Sequence, residues 1–311
     1  MDVVGLGTFA MDVLMKVDTL PREDSFCIIE STSYLPGGSG TNVISQIAKL
    51  GGRCGYIGKV ASDTVGKEIL HSLEGDQVDI SRMVVVDSGI SLHTNIVVDS
   101  EGKKFIMLNM GNVALSLLES EVDYSYIEQG LVFYTDLFPR DPAVSGLQHA
   151  KKAGKKTLFN LQVNLGTMAG LRISKEDILS ALQYVDVFAP CRDGLFELSR
   201  SDDLQVCRRF LRQYCKGILI FTLGKDGVVA FDEQDCMLQL PSLPVKAVDT
   251  TGAGDSFLGG FISSYFLQKQ NLQASLRIAT ACAAYTCTGI GARSAPNRLQ
   301  LEDFLAQMDN A

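Results

Sequence analysis

Short apolar runs alternate with helix-like stretches along most of the 311-residue chain. The predicted strands lie at residues 3–6, 55–60, 131–135, 157–161, 185–189 and 217–223. The predicted helices lie at residues 41–50, 65–73, 142–153, 175–182, 204–215, 256–267 and 272–288. Unbroken apolar runs are typical of strands covered on both faces, and strands that alternate with helices form parallel sheets with right-handed crossovers. The pattern therefore predicts an α/β fold with a mostly parallel central sheet.

Two stretches interrupt this pattern with two-residue alternation. Residues 12–35 contain the alternating side chains Val13, Met15 and Val17, followed by a second extended run. Residues 91–108 contain two extended runs separated by a turn. Because such alternation indicates half-buried strands, we interpret both stretches as a small antiparallel flap inserted into the core. The alternative is that they are edge strands of the main sheet.

Composition narrows the class of protein. The chain has 28 Lys and Arg against 36 Asp and Glu, a net charge of −8, and 46% apolar residues. These values fit a folded chain, which we predict to be a single domain spanning residues 1–311. The acidic balance argues against a nucleic acid or an anionic membrane as partner, and no stretch approaches the roughly 18 apolar residues of a membrane span.

The start of the chain lacks the basic segment of an export signal, and the eight cysteines form no Cys-x-x-Cys pair. We therefore expect reduced thiols, no zinc site and a cytoplasmic location.

Residues 249–257, Asp-Thr-Thr-Gly-Ala-Gly-Asp-Ser-Phe, form a small glycine-rich turn that leads directly into a predicted helix. The first N–H groups of a helix have no partner within it, so the turn at Gly252, Ala253 and Gly254 is a candidate anion site. Asp255 lies at the helix start, where we expect the helix dipole to lower its pKa and keep it ionised. A carboxylate beside an anion site suits a base that deprotonates a hydroxyl while the turn holds a phosphoryl group. The alternative is an ordinary helix after a glycine turn.

Other glycine-rich segments favour binding roles. Residues 36–42 also precede a predicted helix, and Asn42 can either hydrogen-bond a polyol or cap that helix. The turn after the strand at 217–223 contains Gly224 and Gly227, and ligands of open α/β sheets bind at such strand ends; a plain β-turn is the alternative. Residues 5–10 match the form of a dinucleotide fingerprint, but strand-like alternation follows them instead of a helix, which excludes that interpretation.

Together these segments resemble the ribokinase-like (PfkB-type) carbohydrate kinases over nearly the whole chain. Residues 249–257 carry most of this resemblance, and the patterns at 37–42 and 222–224 match in order and separation. The resemblance implies a three-layer α/β/α fold in which the inserted flap is a lid that closes over the substrate and, in some members, forms the dimer contact. It also implies phosphoryl transfer from ATP with Mg²⁺ and an activating K⁺ ion.

The resemblance assigns roles to the residues at matching positions. Asp255 corresponds to the catalytic base, and the other expected catalytic residues are Gly252, Ala253 and Gly254, the anion hole. The expected K⁺ ligands are Asp249, Thr251, Gly291 and Ser294. The expected nucleotide-binding residues are Thr222, Gly224 and Gly227, together with Asp193. The expected substrate ligands are Asp12, Gly38 and Asn42, to which we add Asp136 and Asn160 at predicted strand ends.

The chain departs from the family pattern at three places. Instead of the Asn-x-x-Glu that helps to organise Mg²⁺ and phosphate, residues 191–194 are Cys-Arg-Asp-Gly, in which Asp193 is the expected substitute. Instead of Asp-x-Asn-x-Arg, residues 160–164 are Asn-Leu-Gln-Val-Asn, and the missing arginine favours a neutral substrate over a phosphorylated one. Ala10 stands where ribose-specific members often carry a polar residue, which argues against ribose.

We therefore expect an ATP-dependent kinase that phosphorylates a hydroxyl of a small neutral sugar, polyol or nucleoside. Two alternatives stay open. The missing Asn and Glu favour a catalytically weak protein that binds a sugar or nucleotide as a regulator. A phosphosugar kinase that uses Arg140 or lid lysines as a charge clamp is the second alternative.

Overall fold

The computed structural model describes residues 1–309 and contains thirteen strands there; residues 310–311 of the predicted domain lie outside this part. In chain order the strands are β1 (Val3–Leu6), β2 (Ala10–Val17), β3 (Ile29–Gly37), β4 (Cys54–Ala61), β5 (Asp79–Val86), β6 (His93–Val98), β7 (Lys104–Asn109), β8 (Val132–Thr135), β9 (Lys156–Leu161), β10 (Val187–Pro190), β11 (Ile218–Thr222), β12 (Val228–Phe231) and β13 (Met237–Leu240). Nine of them form one sheet in the order β13-β12-β11-β10-β9-β8-β1-β4-β5. Within this sheet, β11, β10, β9, β8, β1, β4 and β5 run parallel to one another. β12 and β13 are antiparallel additions at one edge.

Helices cover both faces of this sheet. They are α1 (Ser39–Lys49), α2 (Thr64–Gly75), α3 (Tyr124–Glu128), α4 (Arg140–Lys152), α5 (Leu165–Gly170), α6 (Lys175–Ala181), α7 (Arg192–Ser199), α8 (Leu204–Leu211), α9 (Ala253–Ile262), α10 (Leu272–Thr286) and α11 (Arg298–Asp309). Successive side chains of a strand point to opposite faces, so Val3 packs with apolar residues of α1, α2, α9 and α10. Its neighbour Val4 packs with residues of α3, α4, α6, α7 and α8. The predicted three-layer α/β/α fold with a mostly parallel sheet is thus confirmed.

The remaining strands form a separate four-stranded sheet in the order β3-β2-β6-β7, and we call this sheet the lid. The alternative in which these strands are edges of the main sheet is therefore wrong. The expectation of a purely antiparallel lid is also wrong, because β2 and β6 pair in parallel. Since β2 follows β1 and β6 follows β5, both strands leave the same end of a parallel sheet in the same direction. The division into one domain with lid insertions at 12–35 and 91–108 stays a prediction.

The carboxyl ends of the parallel strands meet at one edge of the main sheet. Thr135 pairs with Leu6 on one side and Phe159 on the other, and Cys191 bridges to Thr222. Loops that follow parallel strands at this edge form the usual ligand crevice of open α/β sheets. The segments that the sequence analysis selected after β1, β8, β9, β10 and β11 therefore all emerge on the same side. No helix within residues 1–309 is long and apolar enough to cross a membrane.

Candidate active site

The glycine-rich turn at 249–255 leads into the first turn of α9. Gly252 precedes this helix with a φ of 78°, a conformation that residues with a side chain rarely adopt. A Cβ atom at Gly252 would lie 2.4 Å from the carbonyl oxygen of Ala292, so the close approach of these two segments requires glycine. The N–H groups of the first helical turn lack intrahelical acceptors, and the turn therefore offers donors to an anion.

Asp255 is buried and held by two side chains of α1. The Ser39 hydroxyl donates to Asp255 Oδ1 at 2.6 Å, and Asn42 Nδ2 donates to Asp255 Oδ2 at 2.8 Å. Burial raises the pKa of Asp255 from 3.8 to about 6, against the opposing effect of these hydrogen bonds. The expectation that the helix start lowers this pKa is therefore wrong, because the loss of solvation outweighs the donors that favour the charged form.

Arg293 binds the oxygen of the Asn42 amide, whose nitrogen binds Asp255. Its Nε donates to Asn42 Oδ1 at 3.3 Å, and its NH1 donates to Ser72 Oγ at 2.7 Å and to Asp76 Oδ2 at 3.0 Å. The Arg293 side chain is only 10% exposed. Burial lowers the pKa of Arg293, and the nearby Asp76 carboxylate opposes this shift. A buried cation thus connects the end of α2 to the pair formed by Asn42 and Asp255.

The four expected K⁺ ligands lie together beside the anion turn. Asp249 Oδ1 accepts hydrogen bonds from the backbone N–H and the hydroxyl of Thr251, at 3.0 and 2.7 Å. Asp249 Oδ2 accepts from the N–H of Gly291 at 2.9 Å, and the Ser294 hydroxyl donates to the carbonyl of Gly291 at 2.9 Å. These hydrogen bonds, first of all the one from the Thr251 hydroxyl, lower the pKa of Asp249. The cluster is anionic and rich in oxygen, the ligand type that hard cations prefer.

A cavity of about 760 Å³ opens next to the anion turn, at the carboxyl ends of β10 and β11. All four expected nucleotide-binding residues line it, namely Thr222, Gly224, Gly227 and Asp193. Ala253 and Gly254 of the anion turn line it as well, together with Gln162, whose Oε1 would lie 3.1 Å from a Cβ atom at Gly254. The cavity therefore connects the predicted nucleotide loop to the predicted anion hole.

The segment that departs from the family pattern forms one wall of this cavity. Cys191 precedes α7 and its Sγ accepts a hydrogen bond from the N–H of Gly194 at 3.5 Å. A Cβ atom at Gly194 would lie 2.8 Å from Leu161 Cδ2 and 2.9 Å from the carbonyl oxygen of Val163. Arg192 is tied to Asp226 and to the carbonyl of Leu223. The helix start therefore has no room for a larger residue at position 194.

The lid contributes Asp12 on β2, whose carboxylate accepts a hydrogen bond from the hydroxyl of Thr94 on β6. Gly38 caps α1 with a φ of 87°, and a Cβ atom there would lie 2.4 Å from the Cα of Phe9. Gly38 thus permits the close contact between the start of β2 and the start of α1. The expected substrate ligands Asp12, Gly38 and Asn42 belong to these two neighbouring elements.

Asp136 and Asn160 lie deeper, at the ends of β8 and β9. Asp136 accepts hydrogen bonds from the backbone N–H and the hydroxyl of Thr8, and burial raises its pKa to about 6. A Cβ atom at Gly7 would lie 2.6 Å from Asp136 Oδ1, which explains the glycine at this position. Asn160 Nδ2 donates to the hydroxyl of Tyr134 at 3.3 Å. Both residues are engaged within the fold, and their contact with a substrate stays a prediction.

Sequence reasoning missed Ser39, which donates to Asp255, and Arg293, which donates to Asn42. Ser39 lies inside the glycine-rich segment 36–42, so its place before a helix could have marked it. Arg293 belongs to no recognised motif, and nothing in the sequence signals its position behind Asn42. Arg140, the candidate charge clamp, lies elsewhere, since it pairs with Asp141 and Asp177 and does not line the cavity.

Comparison with known proteins also indicates a carbohydrate kinase. A family model described as pfkB family carbohydrate kinase matches residues 1–298. The chain is 28% identical to a fructokinase of Salmonella typhimurium over 292 residues, which are 90% of this chain and 92% of that protein. It is 30% identical to an ATP-dependent ribose-1-phosphate kinase of Halopiger xanaduensis over 305 residues, 98% of each chain. The solved structure of Arabidopsis thaliana ribokinase with ribose and ATP superimposes with a TM-score of 0.83 at 22% identity, covering 98% of each chain.

The family match extends over both the main sheet and the lid. The relatives are matched over more than nine-tenths of their own length, so the likeness concerns whole proteins and not a shared fragment. The turn before α9, the buried carboxylate behind it and the adjoining cavity all lie inside the matched range. The chain therefore belongs to the pfkB family of carbohydrate kinases.

Proposed function

We propose that this protein transfers the γ-phosphoryl group of ATP to a hydroxyl of a small neutral sugar, polyol or nucleoside. The observation that carries the proposal is the position of Asp255. Asp255 is a buried carboxylate with two side-chain donors. Ala253 and Gly254, which precede it in the first turn of α9, line the cavity. A buried carboxylate beside the unpaired N–H groups of a helix start is what phosphoryl transfer to an alcohol requires.

Asp255 acts as the general base. With a pKa of about 6, most of the Asp255 side chains are ionised at neutral pH, and a base is most effective when its pKa lies close to the working pH. The carboxylate takes the proton of the attacking hydroxyl, while the backbone at Gly252, Ala253 and Gly254 holds the transferring phosphoryl group. Closure of the lid, with Asp12 bound to the sugar hydroxyls, excludes water from the reacting groups.

The donor is ATP, held in the cavity lined by Thr222, Gly224 and Gly227. Asp193 is the carboxylate of the cavity wall that would hold Mg²⁺ with the phosphates, since nucleotide-bound Mg²⁺ usually needs only one or two protein carboxylates. When bound, Mg²⁺ neutralises the charge of the phosphates. The oxygen atoms around Asp249 fit K⁺, which adds positive charge next to the anion turn.

The acceptor is neutral in this proposal because the side chains near Asp255 are hydrogen-bonding groups and not a cationic clamp. Asp12, Asn42 and Asn160 bind hydroxyl groups well, whereas Arg293 is engaged by Asn42, Ser72 and Asp76. A phosphosugar acceptor is the second candidate, and one observation favours it. The charge of Lys104, on the lid, contributes to lowering the pKa of Asp249, so the lid carries a cation whose electrostatic field reaches the site.

We propose that two copies associate through the lid. Both edge strands of the lid, β3 and β7, expose apolar side chains, and the loop before β3 does the same. The exposed residues are Phe26, Ile28, Ile29, Tyr34, Leu35, Phe105, Ile106, Met107 and Leu108. Large apolar patches on a single chain usually mark a contact surface. Sedimentation should give a dimer for the wild type and a monomer for Ile106→Lys; a monomeric wild type would refute this arrangement.

The location and other partners stay proposals. All eight cysteines, which lie within the described residues, are free thiols, and this suits the reducing cytoplasm. We propose no nucleic acid or membrane partner, because the net charge of −8 opposes binding to polyanions.

The decisive experiment combines a substrate panel with one substitution. Purified protein is assayed with ATP, Mg²⁺ and K⁺ on neutral sugars, polyols, nucleosides and sugar phosphates. We expect turnover of a neutral acceptor, and Asp255→Asn should lose at least about 100-fold in kcat while it still binds ATP in calorimetry. Asp141→Asn, an exposed carboxylate outside the site, is the matched control. Ligand binding without any ATP consumption would instead support a regulator, and preference for sugar phosphates would support the second candidate.

A further inference from the structure

Asn42 lies between two groups that leave it a single useful orientation. An ionised carboxylate only accepts hydrogen bonds, and a guanidinium only donates them. The Asn42 amide must therefore turn its oxygen toward Arg293 and its NH₂ group toward Asp255, as the distances of 3.3 and 2.8 Å show. If the amide were rotated by 180°, its oxygen would face the carboxylate and its NH₂ group would face the cation, so both contacts would become repulsive.

Arg293 is itself fixed from the other side. Ser72 and Asp76, at the end of α2, accept hydrogen bonds from the same guanidinium nitrogen. The backbone carbonyl of Arg293 accepts a hydrogen bond from Lys49 Nζ at 2.7 Å, so α1 also holds the loop. A side chain with so many constraints has little freedom, and its fork geometry lets it meet Asp76 and Asn42 at the same time.

We infer that Arg293 is a positioning residue, which holds the Asn42 amide in the orientation that donates to Asp255 and so aims the carboxylate at the acceptor hydroxyl. This inference rests on the proposed function of Asp255. Arg293 does not line the cavity. It completes a series of hydrogen bonds that runs from Asp76 through Arg293 and Asn42 to Asp255.

The neighbours of Arg293 suggest a competing explanation that the test must separate. Gly291 binds Asp249, and Ala292 abuts Gly252, so the same loop also supports the cation cluster and the anion turn. A substitution at 293 that merely loosened the loop would therefore disturb ATP binding and the response to K⁺. A substitution that acts through Asn42 would instead lower kcat and leave the KM for ATP unchanged.

The variants are Arg293→Met, which keeps the length but loses the donors and charge, and Arg293→Lys, which keeps a charge and a donor. We expect Arg293→Met to lower kcat by about 10- to 100-fold, the usual effect of losing a residue that orients a functional side chain, with the KM for ATP changed less than about twofold. Arg293→Lys should recover part of this loss. Arg212→Met is the matched control: the Arg212 side chain is 14% exposed, donates to the carbonyl of Gly217 before β11 and does not line the cavity, so this variant should lower Tm without lowering kcat.

The pH profile gives a second readout. The other charged and titratable groups that act on Asp255 are Asp136 and Tyr134 from β8 and the turn after it, and both stay in place in these variants. Loss of the Arg293 charge should therefore move the acid limb of kcat/KM to higher pH, and Arg293→Lys should move it less.

A double-mutant cycle closes the test. If Arg293 acts through Asn42, then Arg293→Met has little further effect on kcat in an Asn42→Ala background, whereas independent roles give multiplicative losses. Multiplicative losses, an equal rise in the KM for ATP, or a kcat of Arg293→Met within twofold of the wild type would each overturn the inference. The same cycle measured by Tm needs no turnover, and additive Tm losses would overturn the inference even for an inactive protein. An inactive wild type with coupled Tm losses would contradict the proposed function alone.

Discussion

Replacement of the buried carboxylate of Asp255 by an amide should stabilise the protein while it removes activity. The pKa of Asp255 rises from 3.8 to about 6 in the folded chain, chiefly because the charge is buried. A carboxylate with a raised pKa stabilises the fold below the pKa of the unfolded chain, and this contribution is lost as the pH rises through about 6. Asp255→Asn carries no charge at any pH, so the variant avoids that loss.

The size of the effect follows from the shift. A rise from 3.8 to about 6 corresponds to about 3 kcal/mol of lost stability when the group is fully ionised, above pH 7. Near pH 5 the same relation gives about half of this value. The amide also loses one hydrogen bond, because its NH₂ group cannot accept from Asn42 Nδ2, and this costs about 1 kcal/mol at every pH. The advantage of the variant should therefore grow by about 1.5 kcal/mol between pH 5 and pH 8.

Thermal unfolding at pH 5, 6 and 8 measures this difference directly. The Tm of Asp255→Asn relative to the wild type should rise by about 3 °C from pH 5 to pH 8. The pH dependence separates the carboxylate from the lost hydrogen bond, which is the same at each pH. Asp249→Asn is the contrasting variant: hydrogen bonds lower the pKa of Asp249, so this carboxylate is ionised in both the folded and the unfolded chain from pH 5 to pH 8, and the relative Tm of the variant should not change over this range. A Tm difference for Asp255→Asn that does not change with pH would falsify the raised pKa.

Three further predictions concern ligand binding. Gly252→Ala should lower kcat by at least about 100-fold, because its Cβ would lie 2.4 Å from the Ala292 carbonyl oxygen and would displace the anion turn; steady-state kinetics with an unchanged far-UV spectrum tests this. Thr94→Val removes the donor to Asp12 and should raise the KM of the acceptor about tenfold while the KM for ATP stays constant; equal changes in both constants would contradict the lid assignment. Replacement of K⁺ by tetramethylammonium should lower kcat about tenfold in the wild type, and Asp249→Asn should abolish the difference between the two ions.

The main sheet was predictable because its strands carry a strong local signal. All six predicted strands are present with small shifts at their ends, since β1, β4, β8, β9, β10 and β11 are mostly apolar and are buried at nearly every position. The strands that were missed lie at edges or are short. β5 exposes residues along its length and β13 alternates between exposed and half-buried positions, so neither forms an apolar run. The pairing of β2 with β6 depends on chain direction across 75 intervening residues, which no local pattern contains.

The grouping of the candidate site residues was predictable where glycine or a carboxylate stands beside a helix start, and unpredictable where a long side chain reaches in from elsewhere. The turn before α9 and the residues of the cavity follow from such local patterns. Arg293 does not, because its contacts with Asn42 and Asp76 join segments more than 200 residues apart. The predicted direction of the Asp255 pKa shift was wrong for the same reason. The sequence position of Asp255 indicates a helix dipole, but its burial depends on α1, which packs over it.

At residues 191–194, substitution can restore the asparagine of the family pattern but not its glutamate. Cys191 already occupies the position before α7, where its sulfur is a weak acceptor, and asparagine is among the best residues for that position. Cys191→Asn should therefore raise Tm by about 2 °C and keep or raise kcat.

Gly194→Glu should destabilise the protein, because even the Cβ of the glutamate would lie 2.8 Å from Leu161 Cδ2 and 2.9 Å from the Val163 carbonyl oxygen. Such overpacking costs about 1–3 kcal/mol, so the Tm should fall and kcat should not rise. Gly194→Ala is the matched control, since it tests the Cβ without the carboxylate and should lose nearly as much stability. If Gly194→Glu folded as stably as the wild type and turned over faster, the tight wall of the cavity would not be the reason for the missing glutamate. With the expected result, the packing of β9 against α7 excludes the family glutamate, and Asp193 is left as the carboxylate beside the phosphates.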